Sequence, residues 1–535
     1  MKKIFVLILV MGLGFTSFSQ KFNYKKTFIK AERAMQLFDY ETALMHYAKI
    51  AMNEPNANIH YLIGYLYFEK FNNVEKSIEY FEKAISSVST SYKKSNYKET
   101  NAPTILYYYL GKCYHIKHQF DDAIAMYDKY RPTVIEDFSE LQKLDKEKEY
   151  SNNAKELVKN PVEIEINLLG DNINTEYDEH SPVIDASESM IIFTSRRKGS
   201  TGNLKTNDGK FYEDIYISRK ENNEWQPAQK ISTNINTIEH EASIALSSDG
   251  RELFIFRDDV GVGNIYYSHF IDEINDWSKP TKLGSNINST GDETHASISP
   301  DGQTLFFSSN RPGGFGGYDI YLVNKLPTGE WGWAVNAGEM INTPYDESGP
   351  YIHQDGYTLY FSSKGHNSMG GYDLFSTTLK DDSTFTSVKN LGYPINTIYD
   401  DAFYVLSTDG KRAYYSKETA GGKGGQDVFM MDLLSLPERS FVVVSGTIQK
   451  QGSNEILKDI SIDVKDADSD KLIGKYRPNK NNGKYLIVVQ RGKKYTISST
   501  DGDVDFIKNT FEVPEDSSFF YNKTTLDINP LGIAK

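Results

Sequence analysis

Five copies of one pattern fill the middle of this 535-residue chain, and they constrain its fold more than any other feature. Each copy opens on Asn-Thr or Asn-Ser, at Asn174-Thr175, Asn236-Thr237, Asn288-Ser289, Asn342-Thr343 and Asn396-Thr397. An acidic or near-acidic pair follows: Asp178-Glu179, His240-Glu241, Asp292-Glu293, Asp346-Glu347 and Asp400-Asp401. At a fixed distance beyond it come Asp249-Gly250, Asp301-Gly302, Asp355-Gly356 and Asp409-Gly410, whereas the first copy has Ser187-Glu188. Next are an apolar strand such as Leu305-Phe306-Phe307 and a glycine-rich loop. Asp214, Asn264, Asp319, Asp373 or Asp427 then leads a third strand, and Trp225, Trp277 and Trp331 mark a fourth.

Four short strands in a repeated unit of roughly 40–55 residues predict the blades of a β-propeller, here over 161–436. The Asp-Gly pairs suit hairpin turns, because glycine reaches positive φ without strain. The fifth copy ends near Met431 without a Trp strand. The alternating Val162, Ile164, Ile166 and Leu168 can supply it and close the ring from both chain ends. That gives five blades; a sixth, degenerate blade is the alternative. The copies resemble the WD40-like repeats of TolB and related periplasmic proteins. The third is the best example, with Ser299-Pro300-Asp301-Gly302, Ser308-Ser309-Asn310-Arg311-Pro312-Gly313-Gly314 and Tyr318-Asp319-Ile320-Tyr321. The resemblance implies the fold and says little about a ligand.

Residues 20–160 read as paired helices. Leu110-Gly111, Tyr114, Ala123 and Tyr127 echo Ile63-Gly64, Tyr67, Ser77 and Phe81, and Ala43, Tyr47 and Pro55 form a partial earlier copy. Small residues let two antiparallel helices approach closely, with aromatics filling the space around them. This resembles the tetratricopeptide repeat. A charged helical stretch from Glu136 to Lys159 follows, and Pro161 ends it. Such arrays offer a concave groove, with Tyr61, Tyr65, Tyr107, Tyr108 and Tyr109 as candidate anchors. Cys113 beside Gly111 reads as core. His46, His60, His115 and His118 lack partner spacing for metal binding or catalysis.

Residues 440–530 carry short strands with frequent turns: Phe441 to Ile448, the alternating Ile460, Ile462 and Val464, Gly483 to Val489, and Lys494 to Ile497. That spacing predicts a β-sandwich, and the layout resembles the carboxypeptidase regulatory-like domain. Asp466, Asp468 and Asp470, and again Asp501, Asp503 and Asp505, alternate as calcium-binding carboxylates do. Lys471 and Phe506 stand where an EF-hand places glycine, so hairpin turns are the first reading and cation positions the second. No catalytic residue, cofactor or firm metal site is expected.

At the start, Lys2 and Lys3 precede an apolar run from Ile4 to Phe15, then Ser17-Phe18-Ser19. This reads as a signal peptide over residues 1–19. The apolar run is shorter than the ~20 residues a bilayer-spanning helix needs. Lys and Arg total 59 against 73 Asp and Glu, a net charge of −14, which argues against a nucleic-acid partner. The single cysteine excludes an internal disulfide and cysteine-based metal sites. Neither Gly-x-Ser-x-Gly nor His-Glu-x-x-His occurs, and the glycine-rich loops open no helix as a phosphate loop does. The expected fold class is therefore multidomain, helical repeats plus all-β modules.

The order signal peptide, tetratricopeptide repeats, WD40-like propeller and carboxypeptidase regulatory-like domain resembles the PorE-like envelope proteins of type IX secretion and gliding motility. In that family an OmpA-like peptidoglycan-binding domain follows. Here the sequence stops at Leu531 to Lys535, so peptidoglycan binding is not carried over, and the chain reads as a shortened relative or an incomplete frame. The resemblance implies a non-enzymatic scaffold in the periplasm or at the outer membrane, holding envelope proteins through the helical groove and the propeller faces. The alternative is a soluble periplasmic protein that binds a glycan or peptide.

Overall fold

The computed structural model describes residues 22–206, 208–380, 384–418, 422–436, 438–450, 460–501, 504–522 and 526–528. The expected signal segment lies outside them. The chain divides into two compact units, residues 1–151 and 152–535. Among the described residues no helix is long and apolar enough to cross a membrane.

The first unit holds helical repeats. Helices α1 (Tyr24–Gln36) and α2 (Tyr40–Asn53), α3 (Ala57–Glu69) and α4 (Val74–Ala84), and α5 (Leu106–Ile116) and α6 (Phe120–Tyr130) pack as successive pairs, before α7 (Phe138–Leu157). Asn23, Asp39, Asn56 and Asn73 start the first four helices. Their side chains accept from the N–H groups of Lys26, Thr42, Ile59 and Lys76 at 2.9–3.1 Å, which satisfies donors a helix start leaves open. Within each later pair a glycine meets an aromatic. A Cβ on Gly64 would lie 2.7 Å from the Phe81 ring, and one on Gly111 would overlap Tyr127.

The second unit opens with five antiparallel sheets in series. Their first strands are Glu179–Ile184, Glu241–Leu246, Glu293–Ile298, Glu347–Ile352 and Ala402–Leu406. Each first strand packs against that of the next sheet, and the fifth packs against the first. The second strands are apolar at their centres because both faces are buried there, with alternate residues serving opposite neighbours. Leu305 and Phe307 join the cluster shared by the second and third sheets, and Phe306 joins the one shared by the third and fourth. Ile191 and Phe193 meet Tyr414 and Val428 of the fifth sheet in the same way. Ile164–Leu168 pairs with Gln426–Leu433, Leu168 opposite Phe429, and completes the fifth sheet. The sixth sheet weighed as an alternative has no counterpart among the described residues. The tryptophan positions need one correction. In the third sheet Trp331 only bridges Lys325, and the fourth strand pairs further on, at Val335–Asn336. Phe385 repeats that bridge with Leu379 in the fourth.

The end of the chain forms two stacked sheets. One has the order Lys484–Gln490, Phe441–Lys450, Phe520–Asn522, and the other Leu472–Tyr476, Ser461–Asp466, Lys494–Asp501, Val504–Glu512. Val442, Val444, Ile462, Val464, Ile487 and Ile497 fill the space between them.

Candidate interaction surface

The joints between sheets are built from the repeated polar residues. The Asn of each copy reaches back to the third strand of the preceding sheet. Asn288 accepts from the Ile265 N–H at 2.8 Å and donates to its carbonyl at 3.0 Å. Asn236 does the same to Ile215, Asn342 to Ile320, and Asn396 to Leu374. Asn174 makes this clamp on Val428, from the first copy to the last sheet, at 2.7 and 2.8 Å. The Asn thereby satisfies the strand N–H and adds a second donor to a carbonyl that already accepts a backbone N–H, as Ile265 does from Leu283 at 3.1 Å.

The second acid of each pair caps its own turn. Glu347 accepts from the Thr343 N–H and hydroxyl and from the Ser363 hydroxyl, all at 2.5–2.7 Å. Glu179 and Glu293 repeat all three contacts, while Glu241 and Asp401 keep the pair from Thr237 and Thr397. Burial pushes the Glu347 and Asp401 carboxyls up to about 7, against the pull of these donors. The acids therefore hold the joints, and their oxygens are taken by the chain's own donors.

The glycine-rich loops are fitted into the joints too. Phe315 and Gly316 donate their N–H groups to Asp319 at the head of the third strand. A Cβ on Gly316 would overlap the Tyr345 carbonyl, and one on Gly424 the Tyr177 carbonyl. Only glycine allows that approach. The loops thus serve packing between neighbouring sheets.

The Asp-Gly turns lie at the opposite ends of the strands. Gly250, Gly302, Gly356 and Gly410 adopt φ of 68–78°, and Glu188 takes the same place in the first copy at φ 54°. The C-terminal sandwich and its linker touch all five turns. Ala186 packs with Phe441, Val443 and Val488. Asp249 accepts from the Arg477 N–H at 3.1 Å, and Pro300 from the Lys475 N–H at 3.3 Å. Arg439 pairs with the buried Asp355, and its N–H donates to the Asp409 carbonyl at 2.8 Å. Burial pushes Asp355 up, yet His353 and Arg439 outweigh it and hold the carboxyl well below the usual range.

Between the two ends, the first strands close in on each other. The cavity they line is about 50 Å³, with His295, Tyr351, Gln354 and Phe403 among its walls. His295 stacks on Phe403 with ring centroids 4.6 Å apart, and burial pulls its imidazole down to about 4. A small-molecule pocket needs roughly 300 Å³ or more. At the end bearing the Asn-Thr turns and glycine-rich loops, Asn153 donates to the Ser368 carbonyl at 2.8 Å, and other loop residues are exposed. There Phe315, Tyr345 and Tyr399 are 50%, 38% and 61% exposed. Asp346 beside Tyr345 pairs with Lys364 at 2.9 Å, and Asp178 beside Tyr177 pairs with Lys210 at 2.7 Å.

The other sequence candidates fall as follows. Asp466 accepts from the N–H groups of Asp468 and Ser469 and from the Ser469 hydroxyl, at 2.8–3.2 Å. It shapes the hairpin that leads to Leu472–Tyr476, with Asp470 at positive φ. Asp501 pairs with Val504 in the sheet; Asp503 lies outside the described residues, as do the side chains of Asp501 and Asp505. No group of three metal-ligating side chains occurs among the described residues. Cys113 is buried, which pushes its thiol up to about 12 and makes it a poor nucleophile. Of the tyrosine candidates, some of which had to face the core, Tyr65, Tyr107, Tyr108 and Tyr109 are half-buried. Tyr61 is buried, Tyr109 packs on Tyr65 and stacks on Phe81, and Tyr108 donates to Glu147. They are drawn inward because α3 and α5 lie against neighbours on both sides. Phe315, which the sequence offers with Arg311 and Lys423 on the glycine-rich loops, is exposed there, whereas the exposed Tyr345 and Tyr399 were missed. Their signal was available in the Asn-Thr-x-Tyr-Asp spacing of the first, fourth and fifth copies.

No family model matches this chain, and no curated protein does. Solved structures that match include TolB from Acinetobacter baumannii, at 13% identity over 55% of this chain and 71% of that one, with a TM-score of 0.33. A putative TolB from Agrobacterium tumefaciens matches at 14% identity over 61% and 97%, with a TM-score of 0.31. A thermostable family-43 glycoside hydrolase matches at 14% identity over 49% and 91%, with a TM-score of 0.34.

Proposed function

We propose that this chain is a non-enzymatic scaffold of the periplasmic envelope, made of tetratricopeptide repeats, a five-bladed propeller and a carboxypeptidase regulatory-like sandwich. In this reading it assembles or anchors an envelope complex of the type IX secretion or gliding-motility kind. One observation carries the proposal. The chain's own sandwich occupies the Asp-Gly end of the sheet ring, and the cavity inside is about 50 Å³, so binding is left to outer surfaces. The cavity wall also lacks the paired carboxylates that glycoside hydrolysis uses. Immobilised full-length protein should retain defined envelope proteins from a periplasmic extract. The same preparation should leave peptide, ester and glycoside panels unchanged. Turnover abolished by a single substitution would overturn the proposal.

A second reading, a glycan- or peptide-binding protein, draws on the exposed Tyr345 and its neighbouring Asp346–Lys364 pair. An aromatic face beside charged hydrogen-bonding groups suits a sugar ring. Retention of an oligosaccharide and of no envelope protein would favour it.

A further inference from the structure

We propose that the joint between the first and second sheets is a pH-sensitive latch, held by His240 and Glu213 where the other four joints use an aspartate on a backbone N–H. At those four, Asp292 accepts from Gly263, Asp346 from Tyr318, Asp400 from Tyr372 and Asp178 from Gln426, at 2.8–3.2 Å. A peptide N–H carries no proton equilibrium of its own in this range. At the remaining joint His240 stands where the aspartate should be, and Glu213 stands at the donor's position. The His240 Nδ1 lies 2.8 Å from Glu213 Oε2, and its ring stacks on Tyr212 with centroids 3.9 Å apart. Glu213 also faces His180 Nε2 at 3.8 Å and Arg196 Nε at 3.9 Å, and Asp258 is the other charge acting on His240. Arg196 donates to the Phe211 carbonyl and the Thr206 hydroxyl at 2.9 and 3.0 Å. The loop between the second and third strands therefore depends on the same charges.

The direction follows from linkage. The hydrogen bond to Glu213 raises His240 above the ordinary imidazole value. Burial pushes the Glu213 carboxyl up, but the neighbouring His180 and the bonded His240 outweigh it and hold it well below its ordinary value. A raised imidazole stabilises fully below its unfolded value and loses that contribution as pH rises through the folded one. A depressed carboxyl contributes above its ordinary value and loses this only on strong acidification. The latch is thus closed at mildly acidic pH and loosens as pH climbs past neutrality.

The test is hydrogen exchange on the full-length protein, corrected for intrinsic rates, between about pH 6 and pH 8.5. The reporters are the amides of Ile215 and Thr237, which the closed joint bonds to Asn236 and Glu241 at 2.9 and 3.0 Å. The comparison is the double variant E213Q/H240D, which installs the Gln-Asp pair found between the fifth and first sheets. Glu347 and Asp401 titrate at their own joints in both proteins, so they cancel. Relative to the variant, wild-type protection at Ile215 and Thr237 should fall about tenfold over the range. Protection at Ile320 and Thr343 should follow the same course in both. H240Q, which carries no charge at that position, gives an independent check: its profile should follow that of E213Q/H240D and not the wild-type fall, because Glu241 is common to all three. Equal profiles in wild type and both variants, or a wild-type loss of the same size at all five joints, would overturn the latch.

Discussion

At the scale of single residues, the most informative position is the one where the repeat breaks its own rule. Glu188 occupies a left-handed turn position that glycine fills in the other four copies. Its carboxylate forms a bidentate pair with Arg412 at 2.7 and 2.9 Å and accepts from the Tyr414 hydroxyl at 2.7 Å. Both partners belong to the fifth sheet. Two effects oppose each other in E188G. Relief of the positive φ gains about 1 kcal/mol. Loss of a half-buried, hydrogen-bonded pair costs about 3 kcal/mol. The variant should therefore be less stable by about 2 kcal/mol, as read from its urea midpoint, although it restores the commoner residue. Asn174→Ala should cost about 1–3 kcal/mol by stranding the Val428 N–H, whose carbonyl keeps the Leu169 N–H, and Asn288→Ala about the same. Near-equal midpoints for the two variants would show that the fifth-to-first joint bears the same load as an interior one. The departure at Ser187-Glu188 was visible in the sequence. Its partner was not, because the pairing spans 224 residues and no local pattern points to Arg412.

At the scale of elements, the second strands and the helix pairs were legible for a common reason. Their periodicities are set by burial, and burial recurs in every copy. The strand Ile164–Leu168 was legible through its alternation and through what the fifth copy lacked. The fourth strand of the third sheet was misplaced because Trp331 marks a hairpin bridge and not the ladder, whereas Trp225 and Trp277 do lie in paired strands. The inward turn of Tyr61 and Tyr109 was illegible because helix spacing cannot say which side has a neighbour. Gly111 supplies a test of the helix-pair packing. On an exposed helix Gly→Ala stabilises by up to about 1 kcal/mol. Here the added methyl would overlap the buried Tyr127 ring, and overpacking costs about 1–3 kcal/mol. G111A should lower the thermal midpoint of the helical unit; a higher midpoint would show that α5 and α6 can part without loss.

At the scale of the whole molecule, the sandwich and the sheet ring form one compact unit, bound largely through charge. Arg439 meets Asp355 and donates to Tyr360 at 2.8 Å, Arg477 pairs with Glu252 at 2.5 Å, and Lys480 donates its N–H to Asp272 at 3.1 Å. Asp355 is fully buried and would keep His353 and the donors of Tyr357 and Thr358, so R439A removes its charged partner only and should cost about 1.5–3 kcal/mol at neutral pH. Because Asp355 is depressed in the folded state, that loss should shrink as pH falls below the ordinary carboxyl range, where the group protonates. R477A, with a more exposed partner, should cost less and respond more to salt.

The sandwich also fixes which end of the ring is left to partners, and that is where the account is most open to refutation. The direct measurement is capture from an envelope extract by full-length protein and by the triple variant F315A/Y345A/Y399A, quantified by mass spectrometry. These side chains are exposed on the open end and support no core, so the variant should fold with unchanged stability. Aromatic anchors dominate such interfaces, so the account predicts envelope proteins retained by wild type and lost by at least tenfold in the variant. Equal capture by both proteins, or none by either, would contradict it.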